Sequence, residues 1–271
     1  MEIYIIFSFF FGLIIGSFLN VVIYRYNTGR SINGRSGCLS CGKRLGFFEL
    51  IPVMSFVLLK GKCKGCGSKV SWQYPVVELS SAILFALIAY KYITDPFILL
   101  ENIGTYILFS FIIFSILIVI FVYDLKHKII PDALVYSFAV LSLLYRIYET
   151  NFSQINSLAW FDLFSGILLF LPFFILWIVS KGTWIGLGDG KLAVGIGWFL
   201  GFIGGVSSII LAFWIGALVC APLVLVSRLN PKFKHITRKT EVPFGPFMIV
   251  ALIIIFFFPI DIFSLSLFFG L

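Results

Sequence analysis

Long apolar runs separated by short polar segments dominate this chain. Ile3–Tyr24 is the first run, and a polar stretch over 25–73 follows it. Further runs cover Tyr74–Ala89, Ile103–Tyr123, Ala133–Tyr148, Phe161–Ser180, Leu192–Phe202, Val206–Val226 and Gly245–Phe269. A membrane-spanning helix needs about 20 apolar residues, so the pattern predicts an all-α polytopic membrane protein with about eight transmembrane helices. The sixth run is short, and Gly201, Gly204 and Gly205 are the candidates for a turn between it and the seventh. The alternation of a β-barrel strand is absent from the runs. Ile3–Tyr24 reads as a span rather than a signal peptide: Met1-Glu2 is not basic, the run is long, and no small-residue cleavage site follows.

Composition agrees. Of 271 residues, 61% are hydrophobic and 12% charged, a balance that excludes a water-soluble domain and implies a lipid bilayer as partner. Charge adds orientation. With the N-terminus outside, the inner segments Arg25–Gln73, Asp124–Asp132, Lys181–Lys191 and Ser227–Val242 hold nine, two, two and five of the Lys and Arg residues, 18 of 20. The opposite orientation inverts the positive-inside rule. The formal charge of +8 is thus a topology signal. It does not indicate nucleic-acid binding, because the basic residues are spread over several loops. Three parts result: a first helix (1–24), a cytoplasmic cysteine domain (25–73) and a seven-helix core (74–271).

The cysteine domain carries Cys38-Leu39-Ser40-Cys41 and Cys63-Lys64-Gly65-Cys66, each followed by a glycine (Gly42, Gly67). Two such pairs read as zinc knuckles, in which closely spaced thiolates grip one tetrahedral ion. A reducing cytoplasm disfavours the alternative of disulfides. Four sulfur ligands leave no open position, so the expected zinc is structural. The apolar stretch Phe47–Phe56 is expected to lie against the membrane or to cover the zinc site. Cys220 reads as a small buried hydrophobe.

Acidic residues are scarce, and a carboxylate at a bilayer-spanning helix costs about 2.5–3.5 kcal/mol at its centre. Asp189 lies in Gly186-Leu187-Gly188-Asp189-Gly190-Lys191 between two apolar runs. The glycines let the chain present it where a helix begins; no strand precedes them and the Ser or Thr of a phosphate loop is missing. Asp124 lies at the inner end of the third span, where a carboxylate opposes the helix dipole; the bland alternative is an ion pair with Lys126 or Lys128. Asp132, after Pro131, is expected to cap the next helix. Glu78, one turn inside the second span, is expected to line a cavity or to pair with a basic loop residue. Asn20 reads as interhelical glue or as support of a nearby site, and Asp162 as an outer-interface residue.

Asp124 and Asp189 therefore fall on the same face near helix ends. Two such carboxylates brought together share a proton; one activates water while the other protonates the carbonyl oxygen or leaving amine, which is aspartyl peptide hydrolysis. His127 and His235 are the only histidines, which excludes a histidine-based zinc protease, and no G-x-S-x-G is present. An ion-coupled transporter leaves the cysteine domain unexplained and favours acids near the midplane. A non-catalytic scaffold with a zinc module is the third reading.

The motifs resemble the type IV prepilin peptidases, bifunctional leader peptidases and N-methyltransferases of the GxGD aspartyl class. The match covers Gly16-Ser17-Phe18-Leu19-Asn20-Val21, the paired C-x-x-C motifs around Ile51-Pro52, Gly61-Lys62-Cys63, Tyr74-Pro75 with Glu78, Asp124 through Ile130-Pro131-Asp132, Gly186–Asp189 and Pro243-Phe244-Gly245-Pro246. The resemblance implies that Asp124 and Asp189 are the catalytic pair and that Asp132 is not catalytic. It implies substrates among prepilins and pseudopilins, cut after a glycine at the cytoplasmic face of the bacterial inner membrane. The new N-terminal residue is then methylated from S-adenosylmethionine. It also links the cysteine domain to zinc and to methyl transfer, with Gly61 and Lys62 as candidates for the methyl-donor site by motif match.

Overall fold

The computed structural model describes residues 2–29, 31, 33–96, 100–150, 157–229, 242–262 and 264. Within them the chain is helical: α1 (Glu2–Arg25), α2 (Met54–Leu58), α3 (Gln73–Thr94), α4 (Leu100–His127), α5 (Asp132–Glu149), α6 (Ser157–Ser180), α7 (Leu187–Leu229) and α8 (Gly245–Phe257). A polytopic all-α membrane protein is thus the architecture. Five stretches are long and apolar enough to cross a bilayer: Glu2–Arg25, Gln73–Thr94, Glu101–His127, Trp160–Ser180 and Leu187–Pro222; Gly245–Phe257 is apolar but shorter. Most of the basic inner loop 228–242 and part of the outer loop 149–160 lie outside the described residues, as does the end of the run expected to reach Phe269. Helix α8 stops at Phe257 because Pro259 follows Phe258, which takes an extended conformation (φ −126°, ψ 88°).

The chain forms two compact units, Met1–Val119 and Ile120–Leu271. In the first, α1 packs along α3 through two glycines one turn apart. A Cβ at Gly12 or Gly16 would stand 2.7 Å from the Cα of Ala82 or Glu78, respectively. Small residues four apart allow such backbone contact between membrane helices, where apolar burial alone gives no net attraction. Asn20 completes the seam. Its amide donates to the Gly16 and Tyr74 carbonyls (3.3 and 3.2 Å), and its Oδ1 accepts from Gln73 Nε2 at 3.2 Å. Interhelical glue is therefore what Asn20 does.

In the second unit α7 packs against α5, α6 and α8, and it is broken at Gly201, where φ is 77° and ψ 179°. Of the three glycines considered for the turn, Gly201 alone leaves helical geometry. The break frees backbone groups that buried side chains then satisfy. Arg146 of α5 donates from Nε to the Trp198 carbonyl (3.0 Å) and from Nη2 to the Phe199 carbonyl (2.9 Å). Asp162 of α6 accepts the Phe202 N–H at 2.7 Å. Glu149 bonds Arg146 Nη1 at 2.7 Å, with Asp162 3.8 Å from the same nitrogen. Asp162 thus caps the second half of α7. A side chain at Gly201 would need the left-handed backbone and would put its Cβ 2.7 Å from Asp162 Oδ1.

Candidate active site and candidate metal centre

The second unit brings together the last turn of α4 and the first turns of α7 and α8. Asp124 lies one turn before the end of α4, where Lys128, at φ 54°, donates its N–H to the Asp124 carbonyl (2.8 Å) and stops the helix. The Asp124 side chain is buried, 3% exposed. It accepts the N–H of Gly245, the first residue of α8. The approach is so close that a Cβ at Gly245 would stand 2.6 Å from Asp124 Oδ2. Pro243 and Pro246 bracket this contact in sequence.

Asp189 lies in the first turn of α7, and its carboxylate accepts the N–H of Gly186. The helix begins five residues before the Leu192 boundary expected from apolarity, because Leu187, Gly188 and Asp189 of the Gly-x-Gly-Asp motif open its first turn. Asp189 is half-buried and close enough to Asp124 for their charges to interact. Ile130, between α4 and α5, fills the space behind both motifs: a Cβ on Gly188 or Gly245 would stand 3.2 Å from its side chain. Each aspartate is thus held by a backbone amide, with a glycine where the chain passes closest. Such an arrangement can hold a water molecule between two carboxylates and a peptide carbonyl.

Asp132 does not cap α5 as expected. Pro131 occupies the cap position without a side-chain bond. Asp132, in the first turn, instead accepts from Lys191 Nζ at 2.6 Å, and that ammonium lies 5.1 Å from the centre of the Tyr136 ring. Lys191 follows Asp189 by two residues, so the pair ties α5 to the Asp189 turn. The Gly245 amide, Ile130 and Lys191 were missed as site residues in the sequence. The Pro243–Pro246 and Ile130-Pro131 motifs mark the first two, but nothing local marks the partner of Lys191.

In the first unit Cys38, Cys41, Cys63 and Cys66 converge, with all four sulfurs within 4.8 Å of one another. The two knuckles repeat one local geometry. Cys38 N–H donates to Lys43 O and Gly42 N–H to Cys38 O; Cys63 N–H donates to Ser68 O and Gly67 N–H to Cys63 O, all at 2.9 Å. The turns close on Gly42 (φ 71°) and Gly67 (φ 70°), a left-handed conformation that glycine adopts without strain. The sulfurs of Cys38 and Cys66 are 3.9 Å apart. A tetrahedral ion with Zn–S near 2.3 Å separates its sulfurs by about 3.8 Å, so the donor set fits zinc. The Cys41 and Ser40 amides bring the Cys38 thiol down to about 6. Bonds from Ser68 lower Cys66 too. At Cys41 the Lys43 amide favours the thiolate, but the Cys66 contact, burial and the Cys38 charge outweigh it and push the thiol up to about 11. A cation entering the site would displace the remaining protons.

Gly61 and Lys62 follow α2. Gly61 turns the chain at φ 66° under the Phe56 ring, and Lys62, exposed, pairs with Lys69 in a short antiparallel bridge. Glu78, buried in α3, accepts a bond from the Ser17 side chain and one from the Val53 N–H at 2.7 Å. That bond holds Val53, a β-branched residue, at φ 59°, a strained conformation that surrounding contacts must fix. Cys220 is half-buried in α7 rather than enclosed.

Two family models match the chain. One, described as the bacterial peptidase A24 N-terminal domain, covers residues 10–92; the other, described as the type IV leader peptidase family, covers 111–221. Among curated relatives, a Bacillus subtilis protein is 34% identical over 241 residues, covering 88% of each chain. A Vibrio cholerae protein is 29% identical over 94% of this chain and 97% of its own, and a Pseudomonas aeruginosa protein is 27% identical over 89% and 85%. All three are named prepilin leader peptidase/N-methyltransferase. No solved structure matches.

Proposed function

This chain belongs to the type IV leader peptidase family, and from that premise we propose that it removes the leader of prepilins or pseudopilins and then N-methylates the new N-terminus. Asp124 and Asp189 are the catalytic pair in this reading. One carboxylate takes a proton from water as the water oxygen attacks the scissile carbonyl carbon. The other protonates the carbonyl oxygen; as the C–N bond breaks, a proton passes to the leaving amine. The observation that carries the assignment is the meeting of two amide-held aspartates, from α4 and α7, beside the start of α8.

The seven-helix segment 74–271 is the peptidase core, and the cysteine region 25–73 serves methyl transfer. Zinc held by Cys38, Cys41, Cys63 and Cys66 braces that region. The methyl donor is S-adenosylmethionine, with Gly61 and Lys62 at its site on the strength of motif match. The charge asymmetry supports an inner-membrane protein with its N-terminus outside and both sites on the cytoplasmic face. Eight crossings follow if α5, α8 and each half of the broken α7 span the bilayer alongside α1, α3, α4 and α6.

The decisive experiment incubates the membrane-reconstituted chain with a prepilin and reads the product by mass. Leader loss and one added methyl group are expected. Asp124→Asn and Asp189→Asn should each abolish leader loss while the protein still inserts. Normal processing by either variant would falsify the aspartyl assignment.

A further inference from the structure

The segment between the two cysteine knuckles presents apolar side chains to its surroundings although no spanning helix includes it. Phe47 and Phe48 are each 79% exposed, Leu58 73% and Val57 65%. Phe47 and Phe48 sit in the helical turn Phe47–Glu49, and Met54, Val57 and Leu58 share one face of α2 by their three- and four-residue spacing. The turn is fixed to the first knuckle. Glu49 accepts the Gly46 N–H at 2.8 Å and Lys43 Nζ at 3.1 Å. The phenylalanines are thus displayed by a braced loop.

Two contacts set the depth of this segment. Val53, which opens α2, bonds to Glu78, about 7 Å along α3 from Gln73 at 1.5 Å per residue. Glu78 lies inside an apolar stretch long enough to cross a bilayer. Phe56 of α2 packs on Trp72, with ring centroids 4.8 Å apart. Trp72 immediately precedes α3 and is 73% exposed, the position at which aromatic residues mark the membrane–water boundary. Helix α2 therefore runs beside the first turns of a spanning helix, level with the edge of the bilayer. Charge completes the picture: residues 25–73 hold nine basic residues and a single acid, Glu49.

We propose that Phe47–Leu58 is an interfacial anchor. Its exposed apolar side chains enter the acyl-chain boundary of an anionic leaflet, and the basic residues around it meet the headgroup phosphates. The partner is anionic phospholipid. The anchor holds the cysteine region on the membrane surface from which α1 emerges and into which α3 returns.

The test places p-benzoylphenylalanine at the position of Phe48, Leu58 or, as control, Ser40 in the full chain. Each protein is reconstituted in nanodiscs of phosphatidylcholine with or without a one-third share of phosphatidylglycerol. Illumination followed by mass analysis should give phospholipid adducts from positions 48 and 58 and not from 40. The yield should rise about threefold or more with phosphatidylglycerol at low salt. Absence of lipid adducts at 48 and 58 overturns the anchor. So do equal yields at 40, equal yields in the two lipids, or a crosslink to a second protein chain or added prepilin in place of lipid.

Discussion

At Asp124 the contact that matters is made by a residue without a side chain. The Gly245 amide reaches the carboxylate because nothing stands between them, and a Cβ there would lie 2.6 Å from Oδ2. Gly245→Ala should therefore push Asp124 aside without removing any reactive group. A misplacement of about 1 Å at a reacting centre can cost roughly 100-fold, so leader cleavage should fall by about that factor, with unchanged protein in the membrane by immunoblot. Retention of full activity would mean that α8 yields without disturbing Asp124. Both aspartates were legible in the sequence because a carboxylate near an apolar run is rare and its spacing from glycine or proline is local. Their holding amides were less so: the Gly245 contact joins residues 121 positions apart, and only the proline bracket hinted at it. The Glu78 contacts were hidden for the same reason: one of its partners is the backbone of Val53, and a sequence cannot name a backbone partner.

At the scale of elements, the break in α7 depends on a guanidinium from α5 and a carboxylate from α6. Arg146 is 8% exposed and serves two carbonyls and a carboxylate. Truncating one partner of a buried, hydrogen-bonded charge cluster costs about 3–5 kcal/mol. Arg146→Met should lower thermal stability in detergent by an amount of that order, read as earlier aggregation on heating. Asp162→Asn, which keeps an oxygen for the Phe202 N–H, should cost less. The pattern of apolar runs located the helices well, and the glycine cluster located the break. Apolarity placed the starts and ends of helices less well, since Gly188, Asp189 and Gly190 lie inside α7 despite their polarity. The staple itself was invisible, because nothing near Arg146 in the sequence marks its partners on α6 and α7.

At the scale of the molecule, the two candidate sites fall in different compact units. The four cysteines and their hydrogen bonds lie within Met1–Val119; Asp124, Asp189 and the amides that hold them lie within Ile120–Leu271. Cys63→Ser removes the buried member of the sulfur cluster. It should abolish zinc by elemental analysis and reduce methylation by about tenfold or more, in line with the loss of a structural ion. Leader cleavage should change far less. A product shortened but lacking its methyl group is the expected mass signature, and equal loss of both activities would argue against the division. The separation of the cysteines from the aspartates along the chain was legible, but the boundary between the compact units, inside α4, was not: the expected divisions fell after residues 24 and 73, because an unbroken apolar run carries no local mark of a boundary.

The Arg146 staple also bears on how the protein is made. Helix α5 leaves the ribosome before α6 and α7, carrying a guanidinium whose carbonyl partners, Trp198 and Phe199, have not yet been synthesised. Until they arrive, an arginine within a helix of only 18 residues disfavours partition into lipid. If α5 crosses the bilayer, its stable insertion should then be a late event, completed when α7 arrives with its broken turn. A chain truncated after Ser180 should leave α5 accessible to added protease in inverted membrane vesicles, whereas the full chain should protect it. Gly201 would thus mark the point in synthesis at which an uncertain helix becomes committed to the membrane.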